Sequence, residues 1–121
     1  MKKATLLPYL GQLDPGRLGI FKKLVSFSDH FTLAGGTAIM LAIGHRLSYD
    51  FDCFTEEKLP AETLRKAKRV FGQYILPRVQ TSEQLSFEAR PGIEITFEYH
   101  PYLPLKKPIQ TGFIPVFHLD D

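Results

Sequence analysis

The stretch Leu33-Ala34-Gly35-Gly36-Thr37-Ala38, followed by Gly44-His45-Arg46-Leu47-Ser48-Tyr49-Asp50-Phe51-Asp52, decides how this chain is read. His30 to Ala34 has the composition of a short strand that runs into the two glycines. Thr37 to Ile43 is apolar and stops at Gly44, which fits a short buried helix with a glycine at its C-terminal end. Tyr49 to Phe54 then reads as a second strand. Successive strand residues face opposite ways, so Asp50 and Asp52 share one face while Tyr49, Phe51 and Cys53 share the other.

Two carboxylates held side by side repel unless a cation lies between them, and hard oxygen ligands at this spacing suit Mg²⁺ or Mn²⁺. Taken alone, Asp-x-Asp is more often a solvent-facing strand edge, and Gly-Gly more often a tight turn. The combination says more. Glycines between a strand and a helix let backbone amides face an anion at the helix N-terminus, and the Thr37 hydroxyl adds a donor. A phosphate cradle one helix upstream of a metal-binding pair is what metal-dependent transfer from a nucleoside triphosphate requires.

Outward from this stretch, Leu13, Leu18, Ile20, Phe21, Leu24 and Val25 recur at helical spacing. Asp14 before Pro15 supplies an N-cap with proline at the first helical position. Lys58 to Tyr74 reads as an amphipathic helix with Leu64, Ala67, Val70, Phe71 and Tyr74 on one face. Leu85 to Ala89 and Ile93 to Tyr99 alternate across Arg90-Pro91-Gly92 and predict a β-hairpin. Pro101, Pro104 and Pro108 mark a loop, and Gly112 to His118 adds an edge strand. The expected fold is α+β, a small mixed β-sheet flanked by helices.

With 121 residues there is room for a single domain over 1–121. An apolar fraction of 44% and a charged fraction of 23% are those of a globular protein. A net charge of +2 gives no bulk electrostatic hold on nucleic acid. The basic residues do cluster locally, at Arg65, Lys66, Lys68 and Arg69, as a solvated helix face or a guide for a nucleic-acid acceptor. Cys53 is the only cysteine, which excludes an internal disulfide and a cysteine-based zinc cluster. The basic start Met1-Lys2-Lys3 leads into an apolar run that Pro8 cuts short of a signal segment, and no stretch is long enough to span a membrane. The expected location is the cytoplasm.

The quoted stretch resembles the AbiEii/AbiGii toxin-type nucleotidyltransferase family, within the DNA polymerase β-like nucleotidyltransferase superfamily. Its signature of Gly-Gly-Thr, a short helix, then Arg-x-Ser-x-Asp-x-Asp is matched here without a gap over roughly Phe31 to Phe54. The resemblance implies a polymerase β-like core in which Gly35, Gly36 and Thr37 hold the triphosphate. Asp50 and Asp52 would bind the catalytic metal. Arg46 would neutralise phosphate or form a structural salt bridge, and Ser48 would orient the strand or contact nucleotide. The implied activity is transfer of an NMP from an NTP to a hydroxyl of RNA (tRNA) or protein. A cognate antitoxin is the implied partner in a toxin–antitoxin or phage-defence pair.

Two departures accompany the match. The superfamily adds a third carboxylate from a later strand, and counting along Ile93-Glu94-Ile95-Thr96-Phe97 places Thr96 at that position. Glu94 and Glu98 lie two residues to either side on the same face, and either could take the role after a small register change. Glu94 is the expected third catalytic acid; exposed hairpin residues are the plainer reading of both. Family members also continue into a helical region with a lysine and further acids, and the sequence reaches Asp121 as that region would begin.

Other readings fit less well. A haloacid dehalogenase motif needs threonine two positions after its second aspartate, where this chain has Phe54, and an EF-hand loop lacks its third ligand and glycine. His30, His45, His100 and His118 have no metal-ligand spacing. The remaining alternative is an inactive relative that binds a nucleotide or a protein. An active enzyme needs a third acid beside Asp50 and Asp52, and a binding module does not.

Overall fold

A computed structural model describes residues 13–34, 50–101, 108 and 110–116. The predicted helix over 37–43, together with Gly35, Gly36, Thr37, His45, Arg46, Ser48 and His118, lies outside the described residues.

The first helix, α1, spans Pro15–Lys23 and continues as a 3-10 turn over Leu24–Phe27. Its N-cap is Asp14, whose side chain accepts from the Arg17 backbone N–H at 2.9 Å, and Pro15 opens the helix. Two short strands follow, β1 at Thr32–Ala34 and β2 at Phe51–Thr55. Helix α2 covers Thr63–Phe71, and the last three strands are β3 at Pro77–Gln80, β4 at Gln84–Arg90 and β5 at Ile93–Tyr99. The strands form one mixed sheet in the order β1-β2-β5-β4-β3, in which β2 and β5 are parallel and every other neighbouring pair is antiparallel. Outside β1, Leu33 makes an isolated parallel bridge to Val116, held by its N–H to the Pro115 carbonyl at 2.8 Å. This is the expected α+β fold.

Alternation builds the core. Phe51 and Cys53 of β2, Leu85 and Phe87 of β4, and Ile93, Ile95 and Phe97 of β5 are all buried together with Ile20, Phe21, Leu24 and Phe27 from the helical segment. Phe97 sits at the centre, its ring 4.6 Å from that of Phe27 and 4.7 Å from that of Phe31. Tilted rings at such separations attract through their quadrupoles beyond the area they bury. Most of the phenylalanines among the described residues belong to this core. Burial raises the pKa of the Cys53 thiol, which leaves it inert.

The structure differs from the sequence reading at several points. The second helix is shorter, ending at Phe71 before Gly72, whose φ of 127° no other residue adopts readily. Tyr74 consequently leaves the apolar helix face and is 86% exposed, whereas Leu64, Val70 and Phe71 pack on the core as expected. Pro77 does not simply close that region; it begins β3, an edge strand where a missing N–H is tolerated. The hairpin turn at Arg90-Pro91-Gly92 forms as predicted, with Gly92 at φ 79°. Of the edge strand expected over 112–118, the described residues show the single bridge at Val116. No helix among the described residues is long and apolar enough to cross a membrane.

Candidate functional site

The site is built where β2 and β5 run parallel at the middle of the sheet. Phe51, Cys53 and Thr55 are buried on the helix-covered face, so Asp52 and Phe54 emerge on the opposite one. On β5 the same alternation buries Ile93, Ile95 and Phe97 and turns Glu94, Thr96 and Glu98 toward that opposite face. Register then fixes neighbours. Asp52 pairs with Thr96 on one side and with Ala34 on the other. Ala34 is the residue that precedes Gly35 in the chain.

Asp50 lies just before β2 and is exposed. Its Oδ1 accepts the backbone N–H of Glu94 at 2.9 Å, which ties the start of β2 to the start of β5. Asp52 is half-buried. Burial, reinforced by the charges of Asp50, Glu98 and Glu94 in that order, holds its carboxyl above the usual carboxylate range. Among the described residues no cation forms an ion pair with Asp52.

Arg78, which reaches across from β3, carries no mark in the residue order. Its guanidinium lies 3.6 Å from Glu88 and 3.8 Å from Glu94. Glu88 and Glu94 are cross-strand neighbours, and like charges so placed repel. Arg78 relieves that repulsion and engages the Glu94 carboxylate on the side away from β2. Nothing in Pro77-Arg78-Val79-Gln80 marks it as a strand, because the pairing that makes it one comes from β4.

Of the sequence-predicted residues, then, Asp50, Asp52, Glu94, Thr96 and Glu98 share one region of one face. Thr96, rather than either glutamate, stands in register with Asp52. Among the described residues no three His, Cys, Asp or Glu side chains gather closely enough to hold a metal ion by themselves. The donor chemistry still suits a hard divalent cation. Mg²⁺ is commonly held by one or two carboxylates, with substrate phosphates and water completing its shell. Asp50 and Asp52 meet that requirement.

Comparison with known proteins decides the family. A family model described as nucleotidyl transferase AbiEii toxin, Type IV TA system, matches residues 20–117. The chain belongs to the AbiEii family. An uncharacterized protein of Aquifex aeolicus (strain VF5) is 28% identical over 102 residues, covering 83% of this chain and 50% of that protein. The crystal structure of JHP933 from Helicobacter pylori superposes with a TM-score of 0.60 at 15% identity. That superposition covers 96% of this chain and 55% of JHP933, and it shows a shared fold. The chain thus spans about half the length of the proteins it matches.

Proposed function

We propose that this AbiEii domain is a metal-dependent nucleotidyltransferase core, which transfers an NMP from a nucleoside triphosphate to a hydroxyl of RNA or protein. One observation carries the reading: Asp52, half-buried beside Asp50, has its charge disfavoured by its own surroundings and no cation pairing with it among the described residues. A half-buried carboxylate set among like charges is a feature of functional sites more than of structural ones.

Asp50 and Asp52 would hold Mg²⁺ or Mn²⁺, which when bound supplies charge neutralisation at the reacting phosphate. The acceptor hydroxyl oxygen attacks the α-phosphorus in line, its proton passing to solvent, and one P–O bond forms as the bond to the pyrophosphate oxygen breaks. Gly35, Gly36 and Thr37 follow Ala34, the register neighbour of Asp52, and are assigned to the departing pyrophosphate. Arg46 and Ser48 are assigned to phosphate neutralisation and strand orientation. The Glu94 N–H fixes the Asp50 carboxylate; the Glu94 carboxylate itself is engaged by Arg78, which argues for positioning more than proton transfer. The family's toxin–antitoxin setting suggests a cognate antitoxin as partner.

A second reading has its own observation. Thr96 stands beside Asp52 where a third acid is expected, and among the described residues no three-ligand group forms. That favours a nucleotide-binding relative without turnover, unless the region present in longer relatives completes the site. Incubation with each radiolabelled NTP, Mg²⁺ and total RNA tests both, comparing wild type with Asp50→Ala/Asp52→Ala. Metal-dependent labelling lost in the double variant is the expected result. Metal-dependent NTP binding with no labelled product supports the second reading, and neither binding nor product overturns both.

A further inference from the structure

At the far end of β2 from Asp50, the strand ends in a cleft of about 380 Å³ lined by Phe54, His100, Asp29, Glu56 and Glu57, among others. The volume falls in the range of small-ligand sites. Phe54 and His100 form part of its wall as a parallel stack, with ring centroids 5.1 Å apart and planes inclined by 8°. The stack is held by the backbone: the His100 N–H donates to the Thr55 carbonyl at 2.8 Å, so the end of β5 is locked beside the end of β2. Thr55 also accepts the Glu57 N–H through its hydroxyl, at 3.3 Å, which sets the turn carrying Glu56 and Glu57 over the cleft.

Each feature constrains the occupant. A flat aromatic wall selects a planar ring, which it can stack without regard to sequence. Three exposed carboxylates on the rim disfavour a phosphate in the cleft and accept hydrogen bonds from ring amino groups. Phe54 lies two residues beyond Asp52 on the same face of the sheet. That separation is about 7 Å along a strand, within reach of the sugar and phosphate of a nucleotide whose base occupies the cleft.

We infer that this cleft is a nucleobase site for an amino-bearing base, stacked against the Phe54–His100 pair and hydrogen-bonded to the rim carboxylates. The orientation of its phosphate toward Asp52 rests on the nucleotidyl-transfer reading; occupation of the cleft by the base does not. The base belongs either to the nucleoside triphosphate or to an unpaired residue of an RNA acceptor, since both present the same ring.

The probes are free guanosine, adenosine and uridine, without phosphate or metal, followed by saturation-transfer NMR and titration on the whole chain. Guanosine and adenosine, whose amino groups can donate to the rim carboxylates, are expected to bind about tenfold more tightly than uridine, which has none. Phe54→Leu, which keeps bulk and removes the aromatic face, should weaken them about tenfold, the worth of one stacked base. Glu56→Gln/Glu57→Gln alters exposed side chains only and should weaken them without touching the fold. Asp50→Asn/Asp52→Asn should leave nucleoside binding unchanged, which separates this inference from the transfer reading. Displacement of the bound nucleoside by Mg²⁺-NTP assigns the base to the substrate, and displacement by a single-stranded oligoribonucleotide assigns it to the acceptor. Either supports the inference; displacement by neither overturns it, as does equal binding of uridine or indifference to both cleft variants.

Discussion

Replacing Asp52 with asparagine should make the protein more stable while removing its proposed activity. Asp52 has Asp50 two residues back along the chain, and Glu94 and Glu98 two residues either side of its partner Thr96. Such diagonal positions are about 7 to 8 Å apart, and one pair of unit charges at that distance in water repels by roughly 0.6 kcal/mol. Three pairs sum to roughly 2 kcal/mol, which physiological salt cuts by more than half. Relief of burial acts in the same direction, so Asp52→Asn should gain on the order of 1 kcal/mol, or about 3 to 5 °C in Tm for a chain of this size. The pH dependence has a definite sign. Because the folded protein holds this carboxyl above its ordinary range, the charged form is penalised only in the fold. The penalty is absent at low pH and grows as pH rises through the raised value. The stability gap between variant and wild type should therefore be widest at neutral pH and close in acid. It should also narrow in high salt. Thermal unfolding followed by circular dichroism across pH and salt measures this directly. A variant no more stable than wild type at neutral pH and low salt would refute the reasoning, and would mean that Asp52 is held by a structural partner.

Three other outcomes follow from the same geometry. Thr96→Asp places a third carboxylate in register with Asp52, and should tighten Mg²⁺ binding measured by calorimetry while lowering metal-free Tm. Asp14→Ala removes the cap of α1 and should lower Tm at neutral pH. The Arg17 backbone and side chain hold the Asp14 carboxyl below its usual range, so this stabilisation exists above the ordinary carboxylate pKa and fades as pH falls through the lowered one. Equal Tm differences at neutral and acidic pH would contradict that. Phe97→Ala empties the middle of the phenylalanine cluster and should cost about 4 kcal/mol in urea unfolding, with a loss under about 1 kcal/mol showing that the cluster repacks around it.

Some of this protein was fixed by residue order alone. Period-two alternation set which face Asp52 and Glu94 occupy relative to Phe51 and Ile95, because side-chain direction in a strand is local. Asp14-Pro15 marked the start of a helix and Arg90-Pro91-Gly92 a turn for the same reason. Neighbours across the sheet were a different matter. Whether Thr96, Glu94 or Glu98 faces Asp52 depends on the register of two strands that are parallel and some forty residues apart in the chain, and the Asp52–Thr96 pairing settled it. Arg78 engages Glu94 only because β4 recruits a polar segment as an edge strand, and the Phe54–His100 cleft exists only because β2 and β5 end side by side. Long-range pairing buries or exposes a residue according to partners its own sequence does not name, so the shared face of the strand residues could be read from the chain, and their surroundings could not.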